Sequence, residues 1–387
     1  MKISIIGAGP ASLMVATQLV HSNHEVTIYE QKKTPGRKFL VAGKGGFNLT
    51  HSGEISDFVS FFSNERIKQI IPNFTNNHFI DWLDKIGIST YIGTSGKVFP
   101  DKSIKPYQVL ERWINYLKEG GIKFEFNKKM IDFSNNSVTF DSSSGLHTIE
   151  TDKIVLGLGG ISWSKTGSDG NWMKCFKVKN IQIIPFKVAN CGIHTDLPTT
   201  FLAKWNGHSI KNSSVSIKNF SKKGEIRITK YGLEGAPIYY LIPNLRNQDS
   251  LLTIDFKPSF DLAKIEDILG REKNFTVGLK KLNLPVLVID LIKLCLTKDQ
   301  FLNLSILSKY IKQFPVGFDS FTHIDEAISV AGGVDWKEIH NNLSLIKYSN
   351  VYLVGEMLDW EAPTGGYLIH GAVASGYQVG RNIISLS

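Results

Sequence analysis

Cysteine is scarce. The three at positions 175, 191 and 295 are too far apart to form a CxxC redox pair or a zinc-ligand cluster, and they fit a reducing compartment. The ten histidines show no HxxxH-like spacing, which argues against a metal site. Long apolar runs are missing as well. The most apolar stretch, Leu284 to Leu296, is interrupted by Asp290 and Lys293, so nothing reaches a bilayer span. The first apolar run meets Gly7 too early to be a signal-peptide core, and the expected location is therefore the cytoplasm. Acid is the scarcer charge: 35 Asp and Glu stand against 44 Lys and Arg, a net charge of +9. That balance suits phosphate-bearing ligands, anionic surfaces or nucleic acid. The basic pairs, such as Lys32-Lys33, Lys128-Lys129, Lys222-Lys223 and Lys280-Lys281, are scattered and never extend into a basic arm, which argues against nucleic acid and membrane.

What is present is ample material for a core: 42% of residues are apolar and 20% charged. A length of 387 residues predicts two or three domains, or one large α/β domain with an insertion. The chain opens as a βαβ unit, with an apolar strand at Ile3 to Ile6, a glycine turn, a helix from about Ala11 to Val20 and a second strand at Val26 to Tyr29. Pro35 to Thr50, with its four glycines, reads as an extended loop. Helical patterns follow near Asn77 to Ile86 and Pro106 to Lys118. The short strands Lys123 to Phe126 and Ser137 to Phe140 read as a small sheet addition, and Lys153 to Leu158 as a buried strand. Pro185 to Asp255 is strand-like throughout, and Leu262 to Phe314 is helical. A buried strand at Val351 to Glu356 and a closing helix from Tyr367 to about Ile384 end the chain. The expected domains are residues 1–188 and 331–387 as one two-part unit, with 189–330 inserted, β-rich over about 189–255 and helical over about 256–315.

Gly7-x-Gly9-x-x-Ser12 sits between strand and helix, where a tight turn lets the helix N-terminus receive a pyrophosphate. Serine at the third position departs from the usual Gly or Ala but is still small. Glu30 ends the second strand, placed to accept hydrogen bonds from adenosine ribose hydroxyls. Together these residues predict a bound dinucleotide. Gly36-Arg37-Lys38 and the loop Ala42-Gly43-Lys44-Gly45-Gly46-Phe47-Asn48 add cations and free amides beside the same turn, which favours FAD over NAD as the resident cofactor. Glu356 is placed to meet a ribityl hydroxyl, and the helix after Gly366 to aim its amides at the flavin pyrimidine edge. His51 and His370 are expected to be hydrogen-bonded structural residues, and Trp163 and Trp360 are candidates to line a flat-ligand pocket. No second GxGxxG unit is present, so NAD(P)H, if used, would be a transient co-substrate docking over the flavin.

Six motifs then occur in the order of one family: Gly7 to Leu13, Gly36 to Gly43, Gly159-Gly160-Ile161-Ser162-Trp163, Gly167-Ser168-Asp169-Gly170, Ala331-Gly332-Gly333-Val334 and Gly355-Glu356-Met357-Leu358-Asp359. Over its whole length the sequence resembles the aminoacetone oxidase and BaiN-like FAD-binding flavoproteins. The resemblance implies a two-part, glutathione-reductase-type Rossmann-like FAD domain in the α/β class, with an inserted β-barrel-like and helical region. It places flavin contacts on Ala11, Glu30, Arg37, Lys38, Gly43, Lys44, Met130 (by its backbone, at adenine), Glu356 and the residues after Gly366. Many relatives carry Gly-Gly-Tyr-Asn where this chain has Gly365-Gly366-Tyr367-Leu368, so a side-chain amide is lost, while Leu368 and Ile369 keep backbone N–H groups. It implies an oxidoreductase acting on a small organic substrate, with NAD(P)H or oxygen as redox partner. It names no catalytic residue, and the substrate and oligomeric state stay open. An RNA-linked flavoprotein and an electron-transfer flavoprotein are the competing readings.

Overall fold

The computed structural model describes residues 1–42, 46–143, 145–246 and 251–386. They fall into two compact units, Met1–Lys187 with Ile328–Ser387, and Val188–Ala327.

The first unit is built on five parallel strands in the spatial order Val351–Leu353, Lys153–Leu156, Lys2–Ile6, Glu25–Glu30 and Lys123–Phe126. Strands covered on both faces are written as continuous apolar runs rather than alternating ones, and Ile3, Ile5, Ile28, Val155 and Leu353 are fully buried. The opening helix Pro10–Leu19 packs along the closing helix Tyr367–Ile384. Their closeness requires a glycine: a Cβ on Gly376 would lie 2.1 Å from the Ala11 carbonyl oxygen. Lys123–Phe126 belongs to the edge of this main sheet beside Glu25–Glu30, a correction to its reading as part of a small added sheet. Ser137–Ser142 does lie in a separate antiparallel meander with Lys129–Phe133 and Gly145–Glu150. The Tyr29 and Phe140 rings stack at 4.7 Å and join that meander to the main sheet.

The stretch expected as an extended loop contains the helix Arg37–Ala42. The glycine-rich composition of that stretch hid a short helix, pinned by buried Phe39 against Phe47, with ring centroids 4.8 Å apart.

In the second unit six strands close a barrel in the order Ile193–Thr195, Gly232–Glu234, Phe220–Ile228, Ser209–Ile217, Leu251–Asp255 and Phe314–Phe321. Val215 and Ile217 are buried while Ser214 and Ser216, alternating with them, are half-buried, as a period of two demands. Five helices from Leu262–Gly270 to Leu304–Lys312 intervene before the last barrel strand. Pro185 to Asp255 is not wholly strand, because Thr199–Trp205 and Ala236–Leu245 are helices. The aromatic and β-branched residues of the latter suggest a strand, yet Ile238, Leu241, Ile242 and Leu245 repeat at three and four residues and are buried together. Among the described residues no helix is long and apolar enough to cross a membrane.

Candidate functional site

The first strand ends in a turn that only glycine can make. Gly7 has φ +94°, and a Cβ there would stand 2.4 Å from the Gly157 carbonyl oxygen on the neighbouring strand's exit. Gly9 is glycine for a different reason. A Cβ at Gly9 meets nothing within 4 Å, so no protein contact excludes a side chain there, and the open side is the mouth of a cleft. The opening helix begins at Pro10 with no side-chain cap, leaving first-turn amides and the positive end of the helix dipole facing that space. Ser12, the irregular third position, is accommodated because glycine lies opposite it: a Cβ on Gly157 would lie 2.1 Å from the Ser12 Oγ. That hydroxyl is buried and without a hydrogen-bond partner among the described residues.

Glu30 leaves the second strand beside this turn. Its Oε2 accepts the Ala8 N–H at 2.9 Å and its Oε1 the Lys32 N–H at 2.8 Å, so both oxygens are fixed in orientation, and Glu30 lines the cleft. Burial pushes its carboxyl above the usual glutamate range, opposed by the two backbone hydrogen bonds.

Across the cleft, Lys38 Nζ donates to Glu356 Oε2 at 2.6 Å and to Ser162 Oγ at 2.8 Å, joining three elements far apart in sequence. Met130 stands on the strand Lys129–Phe133 of the meander, at the Glu30 end. The cleft holds about 1020 Å³ of space outside the protein, open to solvent.

Of the residues read from the sequence, Gly7, Gly9, Ala11, Glu30, Arg37, Lys38, Met130 and Glu356 line this one cleft. Gly43 and Lys44 lie outside the described residues. Gly366, Leu368 and Ile369 stand at the uncapped start of the closing helix, whose lining residue in this cleft is Ala372. Trp360 is 4% exposed, with its indole donating to the Gly355 carbonyl, so it is a core residue rather than a pocket wall. Trp163 sits at φ +60° outside the lining, and the tryptophan in the wall is Trp172. His370 is fully buried: Nε2–H donates to the Phe74 carbonyl and Nδ1 accepts from the Thr50 hydroxyl, and burial lowers its pKa to about 4. His51 is held between the Ser95 carbonyl and the Gly53 N–H, stacked on Tyr367. The sequence reading gave no role to Gln31, Lys128, Lys129, Thr166, Ser168 and Asn171, which also line the cleft. The Gly167-Ser168-Asp169-Gly170 motif was the one signal pointing toward some of them.

A family described as the HI0933-like protein Rossmann domain matches residues 1–382. The chain belongs to the HI0933-like Rossmann family. Three of the relatives it matches are distant but co-extensive. A 3-dehydro-bile acid delta(4,6)-reductase from Clostridium scindens is 22% identical over 98% of both chains. A ribosomal RNA dihydrouridine synthase from Escherichia coli is 22% identical over 98% of this chain and 97% of its own. Among solved structures, a 3-ketosteroid-delta4-(5alpha)-dehydrogenase from Rhodococcus jostii covers 98% of this HI0933-like chain, with a TM-score of 0.54 and 11% identity, which establishes a shared fold.

Proposed function

We propose that the protein is an FAD-dependent oxidoreductase acting on a small organic substrate, with NAD(P)H as a transient co-substrate or oxygen as electron acceptor. The observation that carries this reading is the Gly9 turn: an uncapped helix N-terminus faces open space, with the Glu30 carboxylate fixed beside it. That donor set fits a dinucleotide. The amides at the start of the opening helix would hold the pyrophosphate, Glu30 would accept from the adenosine ribose, and the Met130 backbone would meet adenine. Lys38 and Glu356, already paired, would lie along the ribityl chain and flavin. When bound, FAD supplies the two-electron chemistry that side chains lack, and the protein positions and tunes it.

The reductase relative supports an unsaturated, carbonyl-conjugated substrate class. The test is an anaerobic absorbance spectrum before and after NADH or NADPH. Bleaching of a flavin spectrum is the expected result for a reductase, and persistent colour directs the search to amine-like donors with oxygen as acceptor. A colourless protein that takes up no added FAD overturns the reading.

A second reading, an RNA-linked flavoprotein, is favoured by the ribosomal RNA dihydrouridine synthases among the full-length relatives and by the net charge of +9. RNA affinity falling steeply with salt would support it, and absent or salt-insensitive binding would count against it.

A further inference from the structure

The small antiparallel sheet of Thr50–His51, Lys97–Pro100 and Thr90–Ile92 lies outside the cleft, and its two faces differ in character. Pairing sets His51 opposite Lys97 and Tyr91 opposite Phe99, all on one face. The other face carries Thr50 and Val98, both fully buried. On the first face Tyr91 is 37% exposed, while Phe99, Lys97 and His51 are half-buried, so it stays partly open across all three strands. The Tyr91 and Phe99 rings stack at 5.6 Å with their planes 22° apart, and the Lys102 ammonium stands 5.8 Å from the centre of the Tyr91 ring. Neither Lys97 nor Lys102 has a carboxylate within ion-pair distance among the described residues. The neighbouring Asp101 carboxylate already accepts the Ser103 N–H and hydroxyl. Three contacts set this face beside the two segments read as flavin contacts. A Cβ on Gly365 would lie 3.7 Å from the Lys97 Cε, and one on Gly46 would lie 3.8 Å from a Phe99 ring carbon. His51 stacks at 5.7 Å on Tyr367, the first residue of the closing helix.

We propose that this face is a docking platform for single-stranded RNA, with a base stacked on Tyr91 and the flanking phosphates held by Lys97 and Lys102. The inference rests on the RNA-linked reading and gives it a surface. Every base has a π-face and every link between bases carries a negative charge, so a single strand satisfies ring and cation together. A neutral planar substrate would use the ring and leave both ammonium groups without a counter-charge. A duplex keeps its bases stacked inside and offers phosphates alone. The place of the platform beside Gly46 and Gly365 puts the strand next to the proposed flavin seat.

The experiment uses the FAD-loaded full chain and a short fluorescein-labelled oligouridylate, followed by anisotropy. Tyr91→Ala is expected to weaken binding about tenfold, the effect of one lost base stack, and Tyr91→Phe to bind as the wild type does. Lys97→Gln combined with Lys102→Gln is expected to lower the slope of log affinity against log salt by about 1.4, the loss of two phosphate contacts on a single strand. A duplex of the same length is expected to be indifferent to Tyr91→Ala. Tyr91 and Lys102 are exposed, and thermal melts with flavin absorbance show which variants keep fold and cofactor. Because Tyr91→Ala and the lysine pair probe different forces, either one alone carries the test. Wild-type binding with an unchanged affinity in folded Tyr91→Ala overturns the proposal, as does a salt slope unmoved by the lysine substitutions. A wild-type protein that binds no oligouridylate overturns the RNA reading itself and this inference with it.

Discussion

Two glycines two residues apart make opposite predictions. Gly7 is confined by protein: its φ of +94° and the carbonyl 2.4 Å from a Cβ mean that Gly7→Ala strains the turn and displaces the Gly157 strand end. Gly9 is confined by nothing within 4 Å. Gly9→Ala is therefore expected to melt near the wild-type temperature while losing most FAD retention, and Gly7→Ala to lose both. Thermal melts alongside the flavin content of the purified proteins separate the cases. A Gly9→Ala protein that keeps its flavin would place the pyrophosphate elsewhere. Glu30→Ala removes a charged acceptor, and FAD affinity is expected to fall about 10- to 100-fold, measured by titration of stripped protein. Because burial raises the Glu30 pKa, wild-type FAD affinity should begin to fall on acidification at a pH where an exposed glutamate is still ionised.

The closing helix is held at its start by a buried polar contact rather than by a cap. His370 bridges the strand Thr50–His51 and the turn at Phe74 as a neutral ring, the tautomer fixed by donating to one carbonyl and accepting from one hydroxyl. Its folded pKa of about 4 lies below the ordinary 6.5. Between those values the unfolded chain binds a proton that the folded chain refuses. The contribution is complete above pH 6.5 and is lost as pH falls toward 4, a change on the order of 3 kcal/mol. Urea melts across this window should show the wild type losing its advantage over His370→Asn, and a constant difference between them would show that the histidine does not stay neutral. Element boundaries follow the same local logic. The helix Arg37–Ala42 exists because Phe39 is buried against Phe47, a contact that a glycine-rich composition does not announce.

At the scale of the molecule, two hydrophobic cores are present, one in each compact unit. The proposed cofactor residues lie in the unit formed by Met1–Lys187 and Ile328–Ser387. A ligand stabilises only what binds it, so FAD at 100 times its Kd should add about 2.7 kcal/mol to that unit. Calorimetry is expected to resolve two transitions with one moved upward by FAD. A single transition would show that the cores unfold as one, and two moving together would show that FAD stabilises both units.

Much of the first unit was legible because it is written locally. A strand, a glycine turn, a helix and a carboxylate lie within thirty residues, and the change of period from continuous apolar to helical spacing is set by neighbours in the chain. The helical stretch from Leu262 onward and the closing helix Tyr367–Ile384 were readable for the same reason. Barrel closure, the Lys38–Glu356 pair and the Gln31–Gly167 contact were not. Ile193 pairs with Phe321, Lys38 with Glu356 and Gln31 with Gly167, across separations that leave no periodic trace in a single sequence. The sequence by itself determined the turn that faces the cleft and the acid beside it, since steric and hydrogen-bonding rules act there over a few bonds. Only the tertiary structure decided which distant residues complete the wall, because their meeting depends on how strands far apart in the chain pair and stack.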